Sequence, residues 1–163
     1  MRIILEWIDK NWKTTLANAI KEKFWRSIVK FSAPKEWEDL YNTYHSFALN
    51  NKNNIIYDRF RIGENIYWPI YRWKSQLWDI ENKNLDLLCS ENFDLIIYCF
   101  TDVEQTAINF IKDWEEFTKI EHIKDMNEKY LEILSKLNTR VIRYDYRLQN
   151  IETILDIIYF LNY

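Results

Sequence analysis

Short apolar runs alternate with amphipathic stretches along the whole chain, and this alternation constrains the fold more than any other feature. Runs rich in β-branched residues predict five strands, at 2–7, 27–31, 54–60, 93–100 and 139–145. Helical spacing of apolar residues predicts helices at 14–24, 36–49, 85–91, 103–113, 123–137 and 151–161. Uninterrupted apolar strands separated by helices are typical of a parallel sheet that is covered on both faces.

One segment departs from this order. Residues 62–79 carry a mixed pattern, and we expect Pro69 to break any helix there. The acidic and basic pair Asp58–Arg59 closes the third predicted strand. Ligands of parallel sheets bind beyond the carboxyl ends of the strands, so this pair lies where a site is expected.

The composition limits the class of protein. The 163 residues are 48% hydrophobic and 29% charged, which predicts a single domain with a substantial core. A net charge of −3 leaves no general footprint for nucleic acid. The sequence contains neither a membrane-length apolar run nor a signal-peptide pattern at MRIILEWID, and its two cysteines lack metal spacing. These observations predict a soluble cytoplasmic protein without a membrane partner.

The loop after the first predicted strand has the spacing of a phosphate-binding loop. Its pattern is G-x-x-x-x-G-K-[ST], in which backbone N–H groups surround phosphate oxygens and the lysine reaches the β- and γ-phosphates. In LEWIDKNWKTT, Lys13 and Thr14 occupy the last two positions, whereas Trp7 and Trp12 replace both glycines. The stretch therefore matches the motif everywhere except at the two glycines.

Glycine and tryptophan are both abnormal in number. The chain has 1 glycine and 8 tryptophans, where average usage predicts roughly eleven glycines. Trp25 and Trp114 follow predicted helices, at positions that favour a left-handed glycine. Because some bacteria and their viruses read the UGA codon as glycine, we hypothesise that most or all eight tryptophans are glycines in the native protein.

With glycine restored, the opening LEGIDKNGKTTLANAI resembles thymidylate kinases and related deoxynucleoside monophosphate kinases. Residues that match without any change are Glu6, Asp9, Lys13, Thr14, Thr15 and Leu16. YDRF at 57–60 resembles the Asp-Arg motif of the third strand, and ENIYWPIYRWK at 64–74 is similar to a substrate segment of small phage kinases of this family. The resemblance implies a three-layer α/β P-loop kinase fold with a five-stranded parallel sheet flanked by helices. It would cover residues 1–163 as one domain, with a lid at about 104–122.

The resemblance also implies roles for individual residues. ATP would be bound by loop residues Trp7, Asp9, Lys10, Asn11, Trp12, Lys13, Thr14 and Thr15. Mg²⁺ would be held by Thr14 directly and by Asp58 through water. Lys13, Asp58 and Arg59 would carry catalysis. The acceptor nucleotide would be contacted by Asp9, Arg59, Tyr67 and Arg72. Kinase lids often supply an arginine to the transferring phosphoryl group, whereas this candidate lid has only Lys112 and Lys119.

The activity implied is ATP-dependent phosphorylation of a deoxynucleoside monophosphate, with thymidylate as the expected acceptor and a homodimer as the expected assembly. Two alternatives remain open. The protein is a catalytically dead binding protein of the same fold if the tryptophans are real, because bulky side chains would stand where phosphate must approach. A deoxynucleoside kinase or another small-molecule kinase would share the machinery and differ only in its acceptor.

Overall fold

A computed structural model gives the fold of the protein. It describes residues 1–8, 13–31, 34–35, 38–49, 54–71, 77–92, 94–113 and 119–162. Five strands form one sheet: β1 (Ile3–Trp7), β2 (Ser27–Lys30), β3 (Ile55–Asp58), β4 (Leu95–Cys99) and β5 (Arg140–Tyr144). Their order is β2-β3-β1-β4-β5, and every neighbouring pair is parallel. The predicted five-stranded parallel sheet is confirmed.

Helices connect the strands. They are α1 (Lys13–Phe24), α2 (Leu40–Leu49), α3 (Ile62–Tyr71), α4 (Asp79–Glu91), α5 (Val103–Asp113), α6 (Ile123–Ser135) and α7 (Ile151–Asn162). A single 3₁₀ turn, Ile120–His122, leads into α6. The three central strands β1, β3 and β4 are buried along their whole length, because helices cover both faces of the sheet.

The two faces of the sheet follow from the alternation of side chains along β1. Ile3, Leu5 and Trp7 point to the face that α1 and α7 cover, with Leu16 and Ile158 among the helical partners. Ile4 points to the opposite face, which the remaining helices cover. The result is the three-layer α/β architecture that the sequence predicts.

The expectation that Pro69 breaks the segment 62–79 is wrong for its first half. Helix α3 runs from Ile62 through Pro69 to Tyr71. Proline inside a helix removes one hydrogen bond and costs about 3 kcal/mol. Ile66 and Trp68, which are 0% and 6% exposed, pack into the core on the same helix. Tertiary burial therefore outweighs the local preference of proline.

Two other helices start at different positions from those predicted. Helix α2 begins at Leu40 rather than 36, because the Asp39 carboxylate accepts a hydrogen bond from the N–H of Asn42 and caps its first turn. Helix α4 begins at Asp79, six residues before the predicted 85. The Glu81 carboxylate accepts the N–H of Trp78 at 2.7 Å and fixes this start. Ile80 in the first turn of this helix is exposed, so the apolar residues of the sequence do not all lie on its buried face, and their spacing does not mark the start of the helix.

Cys89 and Cys99 are free, buried thiols, as expected of reduced cysteines. Burial raises the pKa of the Cys99 thiol to about 12. No helix within the described part of the chain is long and apolar enough to cross a membrane.

Candidate functional site

The candidate site lies at the carboxyl edge of the sheet, where β1 and β3 run side by side. Leu5 of β1 is in register with Asp58, the last residue of β3, so Trp7 and Arg59 follow on adjacent strands. Helix α1 begins at Lys13. Two chain segments, the start of α1 and the end of β3, thus bring a lysine, an aspartate and an arginine to one edge.

Lys13 and Asp58 form an ion pair across this edge. The Lys13 ammonium donates to Asp58 Oδ1, and the two side chains are 16% and 4% exposed. Burial lowers the pKa of Lys13, whereas the hydrogen bond to Asp58 opposes that shift. The pair therefore places a charged lysine and a carboxylate within reach of any anion or metal ion at the loop.

The indole ring of Trp7 lies against two cationic side chains, those of Lys13 and Arg59. Lys13 Nζ is 3.5 Å from the centroid of the Trp7 ring, and Arg59 Cζ is 5.0 Å from it. The indole is 2% exposed and belongs to the core cluster under α1 and α7. Cation–π attraction stabilises this arrangement. Trp7 and Trp68 are both buried, so at these two positions the tryptophan side chain is part of the core.

Arg59 has an unusual backbone conformation. Its φ is 65°, in the left-handed region that residues with a Cβ seldom adopt. Its N–H donates to the Leu5 carbonyl at 3.0 Å, which ties the residue to β1. The guanidinium carbon lies 5.7 Å from the centroid of the Tyr67 ring on α3. Strain of this kind in a turn that presents a charged side chain is frequent at functional sites.

The structure adds a buried carboxylate to the site. Glu6 is 0% exposed, and its Oε1 accepts the N–H of Phe60 at 3.1 Å and of Ile62 at 3.3 Å. Burial raises its pKa to about 7, against the opposing effect of these two amides and of Arg61 and Arg59. The sequence matched Glu6 to a motif but assigned it no role. An acidic residue inside an otherwise apolar strand is the signal that could have identified it.

Helix α6 also reaches the site. The hydroxyl of Tyr130 is buried and donates to the Trp7 carbonyl at 3.1 Å, which fixes the end of β1. Burial raises the pKa of Tyr130 well above its ordinary value, so the phenol keeps its proton. The tyrosine lies on the buried face of α6, together with Ile123, Met126 and Leu134.

The remaining site residues of the sequence analysis divide into two groups. Thr14 and Thr15 lie in the first turn of α1 and are exposed, beside Lys13. Asp9, Lys10, Asn11, Trp12 and Arg72 lie outside the described residues. The candidate lid at about 104–122 is described only at 104–113, within α5, and at 119–122. The structure therefore brings together Lys13, Asp58, Arg59, Tyr67 and residue 7.

Backbone geometry singles out one tryptophan away from the site. Trp25 follows α1 with φ 52°, and the next N–H, of Arg26, donates to the Lys21 carbonyl at 3.2 Å. This is the Schellman motif, whose left-handed position is usually glycine. Trp25 thus has the left-handed backbone that the position after a helix favours. Gly63 itself has no left-handed φ, and a Cβ there would meet ordinary van der Waals neighbours at 3.4–3.8 Å.

Comparisons with known proteins support the fold. No protein-family model matches the chain, and no curated protein matches it. The YorR protein from Bacillus subtilis, solved in complex with phosphorylated GDP, matches with a TM-score of 0.85 and 21% identity, over 99% of this chain and 95% of that one. Deoxyadenosine kinase from M. mycoides with bound dATP matches with a TM-score of 0.62 and 18% identity, over 100% of both chains. Thymidylate kinase from Candida albicans matches with a TM-score of 0.55 and 16% identity, over 97% of this chain and 88% of that one. The chain has the P-loop kinase fold.

Proposed function

We propose that this protein, with glycine at the positions now written as tryptophan, is an ATP-dependent deoxynucleoside monophosphate kinase with thymidylate as its acceptor. One observation carries the proposal: at the carboxyl edge of a P-loop kinase sheet, Lys13 and Arg59 both lie against residue 7, and Lys13 pairs with Asp58. These side chains supply the charges that phosphoryl transfer needs, and the solved structures of similar fold include nucleotide kinases.

Among the site residues that the structure describes, all side chains but that of Trp7 fit a magnesium–nucleotide complex. Thr14 offers an exposed hydroxyl at the amino end of α1, where the helix dipole favours anions, and Asp58 offers a carboxylate. Lys13 and Arg59 offer cations that suit phosphate oxygens. Trp7 does not fit, because its indole lies against both cations. With glycine at position 7 that space would be open.

Each side chain has a task that follows from its place. Lys13 would neutralise phosphate oxygens of the donor, and Asp58, its present partner, would hold the shell of the metal. Arg59 would orient the acceptor phosphate through its planar fork of donors. Bound ATP and Mg²⁺ would supply the phosphoryl group and neutralise its developing charge. No nucleophilic side chain is needed, since positioning and electrostatics dominate this reaction.

The assignment of glycine is part of the proposal. Trp25 adopts a left-handed φ that glycine adopts without strain, whereas the glycine that is written, Gly63, does not use that freedom. Trp7 stands at the first glycine of the motif and closes the space that the motif keeps open. Trp68 and Trp78 have no left-handed φ, so the four described tryptophans do not all require glycine.

Two measurements test this assignment directly. The eight codons in the gene should be UGA, and UGG codons at these positions would refute it. Protein purified from its natural host should have a mass lower than that of the chain as written, by the difference between tryptophan and glycine at every reassigned position. Trp7 and Trp12 are the positions on which the kinase proposal depends.

The enzyme itself is tested by expressing three forms: the chain as written, the Trp7→Gly/Trp12→Gly pair and the form with all eight replacements. Each is assayed with ATP against a panel of deoxynucleoside monophosphates and deoxynucleosides. We expect the glycine forms to phosphorylate thymidylate, and Lys13→Ala in the same background to abolish this. A folded glycine form that phosphorylates nothing on the panel contradicts the proposal.

The position of Trp7 favours a second candidate, a non-catalytic binding protein of the same fold. On this reading the tryptophans are real, and the indole against Lys13 and Arg59 closes the phosphate path permanently. It predicts UGG codons at these positions and a natural protein whose mass equals that of the chain as written. A third candidate, a deoxynucleoside kinase, is separated by the same panel, because it would phosphorylate deoxynucleosides in preference to their monophosphates.

A further inference from the structure

We infer that Glu6 is a positioning residue, whose carboxylate holds the turn that presents Arg59 to the acceptor phosphate. The inference rests on the proposed function for the role of Arg59, whereas the link between Glu6 and the turn rests on geometry alone. Glu6 does not itself touch the reacting atoms in this account. It acts through the backbone on either side of Arg61.

The turn is fastened to two consecutive residues of β1. The Arg59 N–H donates to the Leu5 carbonyl at 3.0 Å. The next residue, Phe60, donates its N–H to Glu6 Oε1 at 3.1 Å, and Ile62, where α3 begins, donates to the same oxygen at 3.3 Å. Backbone amides on both sides of the turn are therefore held by the strand that also leads into the phosphate loop.

This fastening matters because Arg59 is strained. Its φ of 65° lies in the left-handed region, which a residue with a Cβ adopts only where its surroundings demand it. Phe60 and Ile62 are both buried, so their amides need acceptors inside the protein. Glu6 Oε1 is the acceptor of both. Without it the turn is free to relax, and the guanidinium moves with it.

The acceptor oxygen, rather than the negative charge, carries this role. Glu6 Oε2 is buried and has no hydrogen-bond partner among the described residues, beside Gly63 and the Tyr130 hydroxyl. Burial also disfavours the charged form of Glu6. The charged and titratable groups that face it are Arg59, Arg61, Tyr44, Tyr67, Tyr98 and Tyr130. Glutamine at position 6 keeps an acceptor oxygen at the same distance from the backbone but carries no charge. The Glu6→Gln variant therefore separates the effect of the hydrogen-bond acceptor from the effect of the charge.

The first experiment reads the turn without requiring activity. In the chain as written, backbone chemical shifts report the φ of Arg59, and hydrogen exchange reports the amides of Phe60 and Ile62. We expect Glu6→Gln to preserve both, and Glu6→Leu to shift Arg59 and speed exchange at both amides. Glu6→Met serves as a second acceptor-free variant if the leucine variant fails to fold. Unchanged shifts and exchange in a folded acceptor-free variant overturn the inference.

The second experiment reads the consequence for the acceptor, in the form with all eight Trp→Gly replacements. We expect Glu6→Leu to raise KM for thymidylate about tenfold or more, because small misplacements of a positioning group are costly. KM for ATP should stay within about twofold in the same variant. Glu6→Gln should restore the acceptor KM, which a loss of fold stability alone cannot explain.

Asp94→Asn is the matched control for a buried carboxylate. Asp94 is 1% exposed and pairs with Arg2 at the opposite edge of the sheet. We expect it to lower stability without changing the ratio of the two KM values. If Glu6→Gln instead lowers kcat as strongly as Glu6→Leu, Glu6 acts through its charge and the positioning role is wrong. If the glycine form phosphorylates no nucleotide, the proposed function fails, and the shift and exchange data alone decide the link between Glu6 and the turn.

Discussion

Replacing Trp25 by glycine should make the chain more stable, although it exchanges the largest side chain for a hydrogen atom. The ring is 90% exposed, so its loss costs little buried area. The backbone sits at φ 52°, where a residue with a Cβ costs about 1–2 kcal/mol relative to glycine. Glycine also raises the conformational entropy of the unfolded chain, which reduces this gain in stability by about 0.4–1 kcal/mol. The expected net gain in the free energy of unfolding is about 1 kcal/mol.

Two matched variants separate the backbone from the ring. Trp25→Ala removes the ring and keeps the Cβ, so it should leave the left-handed strain in place and gain nothing. Trp78 is 75% exposed with an ordinary φ of −76°, so Trp78→Gly relieves no left-handed strain. Its loss of about 0.4–1 kcal/mol through the unfolded state is partly offset by the preference of helix N-caps for glycine, and no net gain is expected. The N–H of Trp78 that Glu81 accepts is a backbone group and survives this replacement.

Urea unfolding followed by far-ultraviolet circular dichroism measures all three variants, because that signal does not depend on tryptophan fluorescence. The free energy of unfolding of Trp25→Gly should exceed that of Trp78→Gly by about 1 kcal/mol or more. In a chain of this size the gain at Trp25 corresponds to a Tm rise of about 3 °C. The reasoning is refuted if both glycine variants lower stability equally, or if Trp25→Ala gains as much as Trp25→Gly.

The remaining predictions concern the site. Glu6 has a folded pKa of about 7 against an ordinary 4.5. The folded state therefore binds the Glu6 proton more tightly than the unfolded state does. The free energy of unfolding should fall by about 3 kcal/mol as pH rises from 4.5 to 7. The difference in the free energy of unfolding between Glu6→Gln and the parent should therefore grow by that amount from pH 4.5 to pH 7, as measured by urea unfolding. If the two stability curves run parallel over this pH range, the pKa assigned to Glu6 is wrong. Tyr130→Phe should lower the free energy of unfolding by about 1 kcal/mol, since it leaves the buried Trp7 carbonyl without this donor; an unchanged urea midpoint would argue against that bond. Trp7→Gly in a Trp12→Gly background should increase ATP affinity over Trp12→Gly alone in calorimetric titrations, and equal affinities of these two variants would show that the Trp7 indole does not block the site. In the active glycine form, Arg59→Lys should raise KM for the acceptor nucleotide roughly tenfold or more and leave KM for ATP nearly unchanged, whereas a rise confined to ATP would move Arg59 to the donor side.

The sheet could be predicted because buried parallel strands appear in the sequence as short, nearly continuous apolar runs. IILEW, LIIYC and IIYD are buried at every position, and they are also the apolar runs that stand out in the sequence. Helices α1, α5 and α7 begin and end within one residue of their predicted bounds, since their apolar spacing is regular. A motif and a resemblance implied that Lys13 and Asp58 belong to one site, and the sheet order brings them together as an ion pair.

What the sequence missed depends on contacts between distant residues. Pro69 lies inside a helix because Ile66 and Trp68 are buried, which no local propensity reveals. Glu6 acquires its role from amides more than fifty positions along the chain, and Tyr130 donates to Trp7 across an even longer separation. The left-handed φ of Arg59 follows from that same fastening to β1.

The amino-acid sequence by itself determined the class of fold, the loop with its lysine and threonine, and the anomaly of glycine and tryptophan, because each of these is written in local order and spacing. Only the tertiary structure decided which of the four described tryptophans are buried, that Trp25 among them has a left-handed backbone, and what Glu6 holds. Burial and backbone strain are properties of the packed chain, since they arise when segments far apart in sequence compete for the same space and the same hydrogen-bond partners.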